Sequence, residues 1–154
     1  MQRTLGLLLA LVTIAGAARA ETEPAARQIA EAAAAQWNAA FAQGRVEDVL
    51  SLYADDALLL QPNGTVAHGA GQIRDFWQQL MRQGAYAMDV LDVRRELDGT
   101  IVTRIRFSDV KSMPSVRPQT MKYRYGGVIY SVLRQQSDGR WKAEVQRWDR
   151  DRNI

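Results

Sequence analysis

Few side chains in this sequence have the makings of a site. Asp55 and Asp56 stand side by side, Asp89, Asp92 and Asp109 lie in later alternating sequence, and His68 is the single histidine. An imidazole titrates near neutral pH, so His68 is a candidate lone acid–base group. It directly precedes Gly69, however, where a helix opens and an exposed side chain is expected. A metal centre would need carboxylates to complete it, and Asp55-Asp56 is explained by turn and capping preferences, so no metal is expected. Any of Asp89, Asp92 or Asp109 turned inward would have a raised pKa and serve as a general base. Alternation does not decide this, because Tyr86 to Leu97 carries apolar residues on both faces.

Other chemistries are excluded outright. With no cysteine there is no thiolate nucleophile, disulfide or thiolate-bound metal. No nucleophile elbow, Walker loop or dinucleotide fingerprint is present, and Gly69-Ala70-Gly71 and Gly126-Gly127 are too short to cradle phosphate. No cofactor is expected, and no catalytic residue is assigned. What remains is a set of residues suited to line a cavity: Trp37, Phe41, Tyr53, Leu59, Gln61, Trp77, Tyr125 and Tyr130. Aromatic residues at such spacing fill a core or border a ligand, and both readings stay open at this point. Gln61 is the most informative, since a buried amide needs partners for two N–H groups and an oxygen.

The elements that must position these residues follow from periodicity. Residues 21–28 read as a polar lead-in. Ile29, Ala33, Trp37, Ala40 and Phe41 then recur at helical spacing on an alanine-rich background, and Gly44 is placed to end the helix. A shorter helix follows, with Val46, Val49, Leu50 and Tyr53 on one face and Asp55-Asp56 breaking it. Ala57 to Leu60 reads as a buried strand, Pro62-Asn63-Gly64 as a turn and Thr65 to His68 as a return strand. Ile73, Phe76, Trp77, Leu80 and Met81 mark a third helix. Beyond Gly84 the period falls to two, giving strands at Tyr86–Leu97 and Ile101–Phe107 around Asp98-Gly99. A long connection over 109–118 leads to strands at Met121–Arg134 and Trp141–Val145, with Trp141, Ala143 and Val145 on one face.

Helices first and an antiparallel run last make an α+β domain, with three helices on the concave face of a strongly curved, mainly antiparallel sheet. The first twenty residues are set aside as a signal peptide: Arg3, the apolar run Leu5–Ala15, and the small-x-small site Ala18-Arg19-Ala20. A retained N-terminal anchor is the alternative, although the run is short for a membrane span. Cleavage would leave a single domain, residues 21–154, in the periplasm or outside the cell, and not an integral membrane protein. Without Arg3 and Arg19 the chain has 18 basic and 17 acidic residues, a net of +1, which removes the case for a nucleic-acid partner. The alternation Arg104, Arg106, Lys122 and Arg124 gathers basic groups on one sheet face, either solvated or a docking surface.

The run LYADDALLLQPNGTVAHGAGQIRDFW, Leu52 to Trp77, resembles the cone-shaped superfamily that holds nuclear transport factor 2, the ketosteroid isomerases and the polyketide cyclases. Within it the likeness is to the SnoaL-like or DUF4440 domains, and it extends over about Ala26 to Arg150. The resemblance implies a cone with an apolar interior, and dimers formed through the outer sheet face. It also implies where isomerase chemistry would sit: a carboxylate base before the Pro of the turn, a helical Tyr, and an acid on a late strand. Gln61 holds the first position and Trp37 the second, while the third falls near Ile129 or Tyr130, where there is no carboxylate. Gln takes no proton at neutral pH, so steroid-isomerase chemistry is not expected. Three functions remain open: a binding site for a small apolar or amphipathic molecule, an acid–base isomerase, cyclase or hydrolase-like enzyme, and a dimeric interaction module.

Overall fold

The computed structural model describes residues 14–109 and 127–150. The helices are α1 (Ile14–Ala42), α2 (Val46–Leu50) and α3 (Gly69–Met81). The strands are β1 (Tyr53–Leu60), β2 (Val66–His68), β3 (Tyr86–Arg95), β4 (Ile101–Asp109), β5 (Gly127–Gln135) and β6 (Trp141–Arg150). All six strands join one curled sheet in the order β2-β1-β6-β5-β4-β3. Neighbours are antiparallel except β1 and β6, which run parallel. The expected α+β architecture is therefore present. Of the strand expected over Met121–Arg134, the later part is β5, while residues 121–126, with Lys122, Arg124 and Tyr125, lie outside the described residues, as do residues 1–13 of the expected leader.

Helix α1 buries Ala26, Ala30, Ala34, Trp37 and Phe41, which recur every three or four residues on one face. The helix begins well before Ile29, so the polar lead-in over 21–28 is helical instead. Alanine, glutamate, glutamine and arginine all favour helix, and Arg27 pairs with Glu31 one turn on at 3.2 Å. Ala26 and Ala30 carry no large apolar group to announce a stripe, yet they are fully covered. One polar residue fixes the helix to the sheet. The Asn38 amide donates to the Met88 carbonyl (3.0 Å) and accepts from the Met88 N–H (2.8 Å), so it pairs with edge strand β3 as another strand would.

A second correction concerns the aspartate pair. Helix α2 stops at Leu50, Tyr53 already belongs to β1, and Asp55 and Asp56 lie within that strand, both exposed. The Ala143 N–H donates to the Leu52 carbonyl at 2.8 Å, which starts the β1–β6 pairing early. Two successive exposed residues cannot keep a two-residue alternation, and the β1–β6 register shifts between Tyr53 and Leu58 to absorb them.

The hairpin turns share one chemistry. At Asp98-Gly99-Thr100 the aspartate oxygen accepts the Thr100 N–H at 3.0 Å, and Gly99 sits at φ +85°, where a side chain would be strained. Asn63-Gly64-Thr65 and Asp138-Gly139-Arg140 repeat the arrangement. Because Glu96 starts its turn by donating to the Thr100 carbonyl, β3 ends at Arg95 and not at Leu97.

The expected face of the last strand is also revised. A register shift between Val132 and Leu133 in the β5–β6 pair turns Val145 outward and puts Gln146 and Trp148 inside with Ala143. Phe41, Phe76, Trp77, Tyr86, Phe107 and Trp148 meet in one aromatic cluster, with Tyr86 stacked on Phe107 at 5.0 Å. Among the described residues no helix is long and apolar enough to cross a membrane.

Candidate functional site

Strand β1 delivers Tyr53 to the centre of the interior, where only 3% of it is exposed. Helix α3 brings Trp77 to one side and β6 brings Gln146 to the other. The Trp77 indole N–H donates to the Tyr53 oxygen at 2.8 Å, and the Tyr53 hydroxyl donates to the Gln146 carbonyl oxygen. The Gln146 amide then donates to the Ser131 hydroxyl oxygen at 2.8 Å. Gln146 faces Ser131 across β6–β5, and Ser131 faces Thr103 across β5–β4. A polar row therefore crosses the inner face of the sheet, with every member buried.

All of these groups are neutral. Burial pushes the Tyr53 phenol well above the usual tyrosine value, and the Trp77 N–H offsets only part of that shift. Tyr53 is accordingly a hydroxyl donor at physiological pH, never a phenolate base. Among the described residues no carboxylate, imidazole or ammonium is fully buried, the buried polar ones being Thr100, Thr103, Ser108, Ser131 and Gln146. Asp89 and Asp92 are exposed on β3, and His68 is exposed ahead of α3 without a capping bond. No group of three potential metal ligands comes together among the described residues.

The row is incomplete. The Trp37 indole nitrogen and the Thr103 hydroxyl are buried without a hydrogen-bond partner, each residue being 1% exposed. Trp37 stands edge-on to Tyr53, ring centres 5.8 Å apart. Trp148 also has a partnerless indole nitrogen, but Gly127 lies against it so closely that there is no room for a methyl group between them.

Of the residues that the sequence nominates for the cavity, Trp37, Phe41, Tyr53, Leu59 and Trp77 are buried together in the interior. Gln61 is half-buried at the start of the β1–β2 turn, and its N–H donates to the Thr65 carbonyl at 2.8 Å. Tyr130 lies on the outer face, 38% exposed, with the Arg147 guanidinium 5.1 Å above its ring. Tyr125 lies outside the described residues. Sequence reasoning missed Thr103, Ser131 and Gln146. Ser131 had a signal: it interrupts an apolar series, Ile129 and Leu133, at the spacing of one strand face.

The SnoaL-like domain family matches residues 34–144, from the middle of α1 to β6. This chain belongs to that family. The domain's fold recurs in solved structures, among them three that are too distant in sequence to carry more than the fold. A ketosteroid isomerase-like protein from Erwinia carotovora atroseptica is 17% identical with a TM-score of 0.63, covering 80% of this chain and 94% of that one. An NTF-2 like protein of unknown function from Shewanella oneidensis is 12% identical with a TM-score of 0.62, covering 80% and 98%. A putative calcium/calmodulin dependent protein kinase II association domain from Xanthomonas campestris is 21% identical with a TM-score of 0.59, covering 77% and 82%. A comparison with curated proteins returns no match. The SnoaL-like domain is thus built on the NTF2-like cone, with Tyr53 near its centre.

Proposed function

We propose that this SnoaL-like domain is an exported, non-catalytic binding protein for a small apolar or amphipathic molecule held between α1 and the sheet, acting as a homodimer. One observation carries the reading: among the described residues the fully buried polar ones are all neutral, and the Trp37 indole nitrogen and Thr103 hydroxyl, like the Trp148 indole nitrogen and the Nε of half-buried Arg95, have no hydrogen-bond partner. Acid–base catalysis needs a group that gains and loses a proton near the working pH. Tyr53 is pushed away from that range, and the aspartates of β3 face outward. A binding protein needs none of this. It needs apolar walls and a few well-placed polar groups.

Export rests on Arg3, the apolar run Leu5–Ala15 and Ala18-Arg19-Ala20, with processing expected before Glu21. Support for a dimer comes from the outer sheet face. There Leu58, Val145, Val132 and Val102 sit opposite one another across four strands, all half-buried, beside the row Leu60, Arg147, Tyr130, Arg104 and Asp92. An apolar band flanked by charge suits an interface. The Xanthomonas campestris structure is itself named an association domain.

Native mass spectrometry of protein isolated from the periplasm tests these points together. The expected species is a dimer of chains beginning at Glu21, each carrying a small-molecule adduct that is lost on denaturation. Bare monomers retaining the leader would refute the proposal.

A further inference from the structure

We infer that the domain carries a second binding site, a cleft beside the β5–β6 turn, and that it takes a small amphipathic carboxylate whose charge is answered by Arg95. The cleft is half-open and holds about 330 Å³, a volume suited to a small molecule. Ile29, Ala33 and Gln36 of α1, Leu52 ahead of β1, and Arg140 and Trp141 from the β5–β6 hairpin line it. Those α1 residues form a different strip from the buried series Ala26, Ala30, Ala34, Trp37 and Phe41, so the cleft is separate from the interior. Ile29, Ala33 and Trp141 are partly buried and packed on the core, which gives an apolar body a firm surface to rest on.

The charge is supplied from β3. Arg95 ends that strand, in one row with Ile101, Leu133 and Ala143, all three buried. Its guanidinium lies over the Trp141 indole, 5.4 Å from the ring centre. It gives one N–H to the Gly99 carbonyl at a long 3.3 Å, while its Nε is buried without a partner. No ion pair among the described residues includes it. A guanidinium does not shed its proton to escape this cost, as a buried lysine does, so it calls for an acceptor. Arg140, next to Trp141 in the chain, is already paired with Asp138 at 2.6 Å, and no acidic residue lines the cleft. An anion bound beside Trp141 therefore meets one uncompensated cation, which matches a single carboxylate better than the double charge of a phosphate monoester.

The test uses three probes of one skeleton: 4-phenylbutyrate, the neutral 4-phenylbutyramide and the cationic 4-phenylbutylamine. Binding is followed in proton–nitrogen NMR spectra through the indole signals of the four tryptophans, those of Trp37 and Trp141 being assigned by their loss in Trp37→Phe and Trp141→Phe. The carboxylate should bind about 10-fold more tightly than the amide, the effect of one charge-assisted hydrogen bond. It should move the Trp141 signal and not that of Trp37, and its advantage should shrink as salt is raised. Arg95→Gln should bring carboxylate and amide to equal affinity without weakening the amide, and Arg95→Met serves if that variant does not fold. Arg140→Gln should keep most of the preference. Equal affinity for carboxylate and amide in the parent, a preference for the amine, or a preference that survives the loss of Arg95 overturns the inference. Movement of the Trp37 signal alone overturns the cleft and upholds the binding reading above. Failure of every probe to bind overturns the cleft alone.

Discussion

Tyr53 joins two elements through its polar contacts in the interior. Its oxygen takes the Trp77 N–H of α3, and its hydroxyl serves Gln146 of β6. Tyr53→Phe keeps the ring but strands a buried donor and a buried acceptor, and should lower stability by about 1–3 kcal/mol. Urea unfolding with an unchanged m-value would show it. The phenol also sets a pH response. Its folded pKa is raised above the 10.0 of an unperturbed tyrosine, so its contribution is fully present below that pH and is lost as pH rises beyond it. Above pH 10 stability should fall more gently in Tyr53→Phe than in the parent, by about 1.4 kcal/mol per pH unit. Thr103→Val should behave oppositely to Tyr53→Phe. The hydroxyl it removes has no partner, so thermal unfolding should occur at an equal or higher temperature. Residue by residue, the sequence disclosed Tyr53, Trp37 and Trp77 because large aromatics stand out against a helical or strand period. It hid Ser131, Gln146 and Thr103, which small or polar side chains place equally well on either face.

At the scale of elements, periodicity located all three helices, and the Asx-Gly pairs located the turns. The errors arose where the period is broken. Asp55-Asp56 looks like a helix stop, yet a register shift against β6 accommodates both in β1. A second shift between Val132 and Leu133 inverts the face of β6 from that expected, since Val145 and Gln146 exchange sides. Such irregularities depend on the partner strand, which a local pattern does not contain. Gly127 is another product of strand packing. A β-carbon there would overlap the Trp148 indole nitrogen and lie 2.7 Å from the Asp149 carbonyl. Gly127→Ala should therefore cost about 1–3 kcal/mol by overpacking, measured by thermal or urea unfolding. A variant as stable as the parent would mean that Trp148 is free to move aside. By contrast, the Glu47–Arg74 pair joins α2 and α3 at 2.9 Å in full solvent, and Glu47→Gln should change stability little.

For the whole molecule, the cone gives the chain two faces with separate duties. The inner face holds the neutral polar row. The outer face carries the apolar band Leu58, Val145, Val132 and Val102. Val132→Lys places a charge in the middle of that band while leaving the interior untouched, and should convert the proposed dimer to monomer in light scattering. A dimer that survives the change would have to use another surface. The central claim, that the unpaired donors buried in the interior are completed by a ligand, is tested most directly by a crystal structure of protein isolated without denaturation. The prediction is a small organic molecule whose acceptor lies about 2.9 Å from the Trp37 indole nitrogen. A Trp37 nitrogen bonded to another group of the protein itself, with no molecule beside it, would contradict the account.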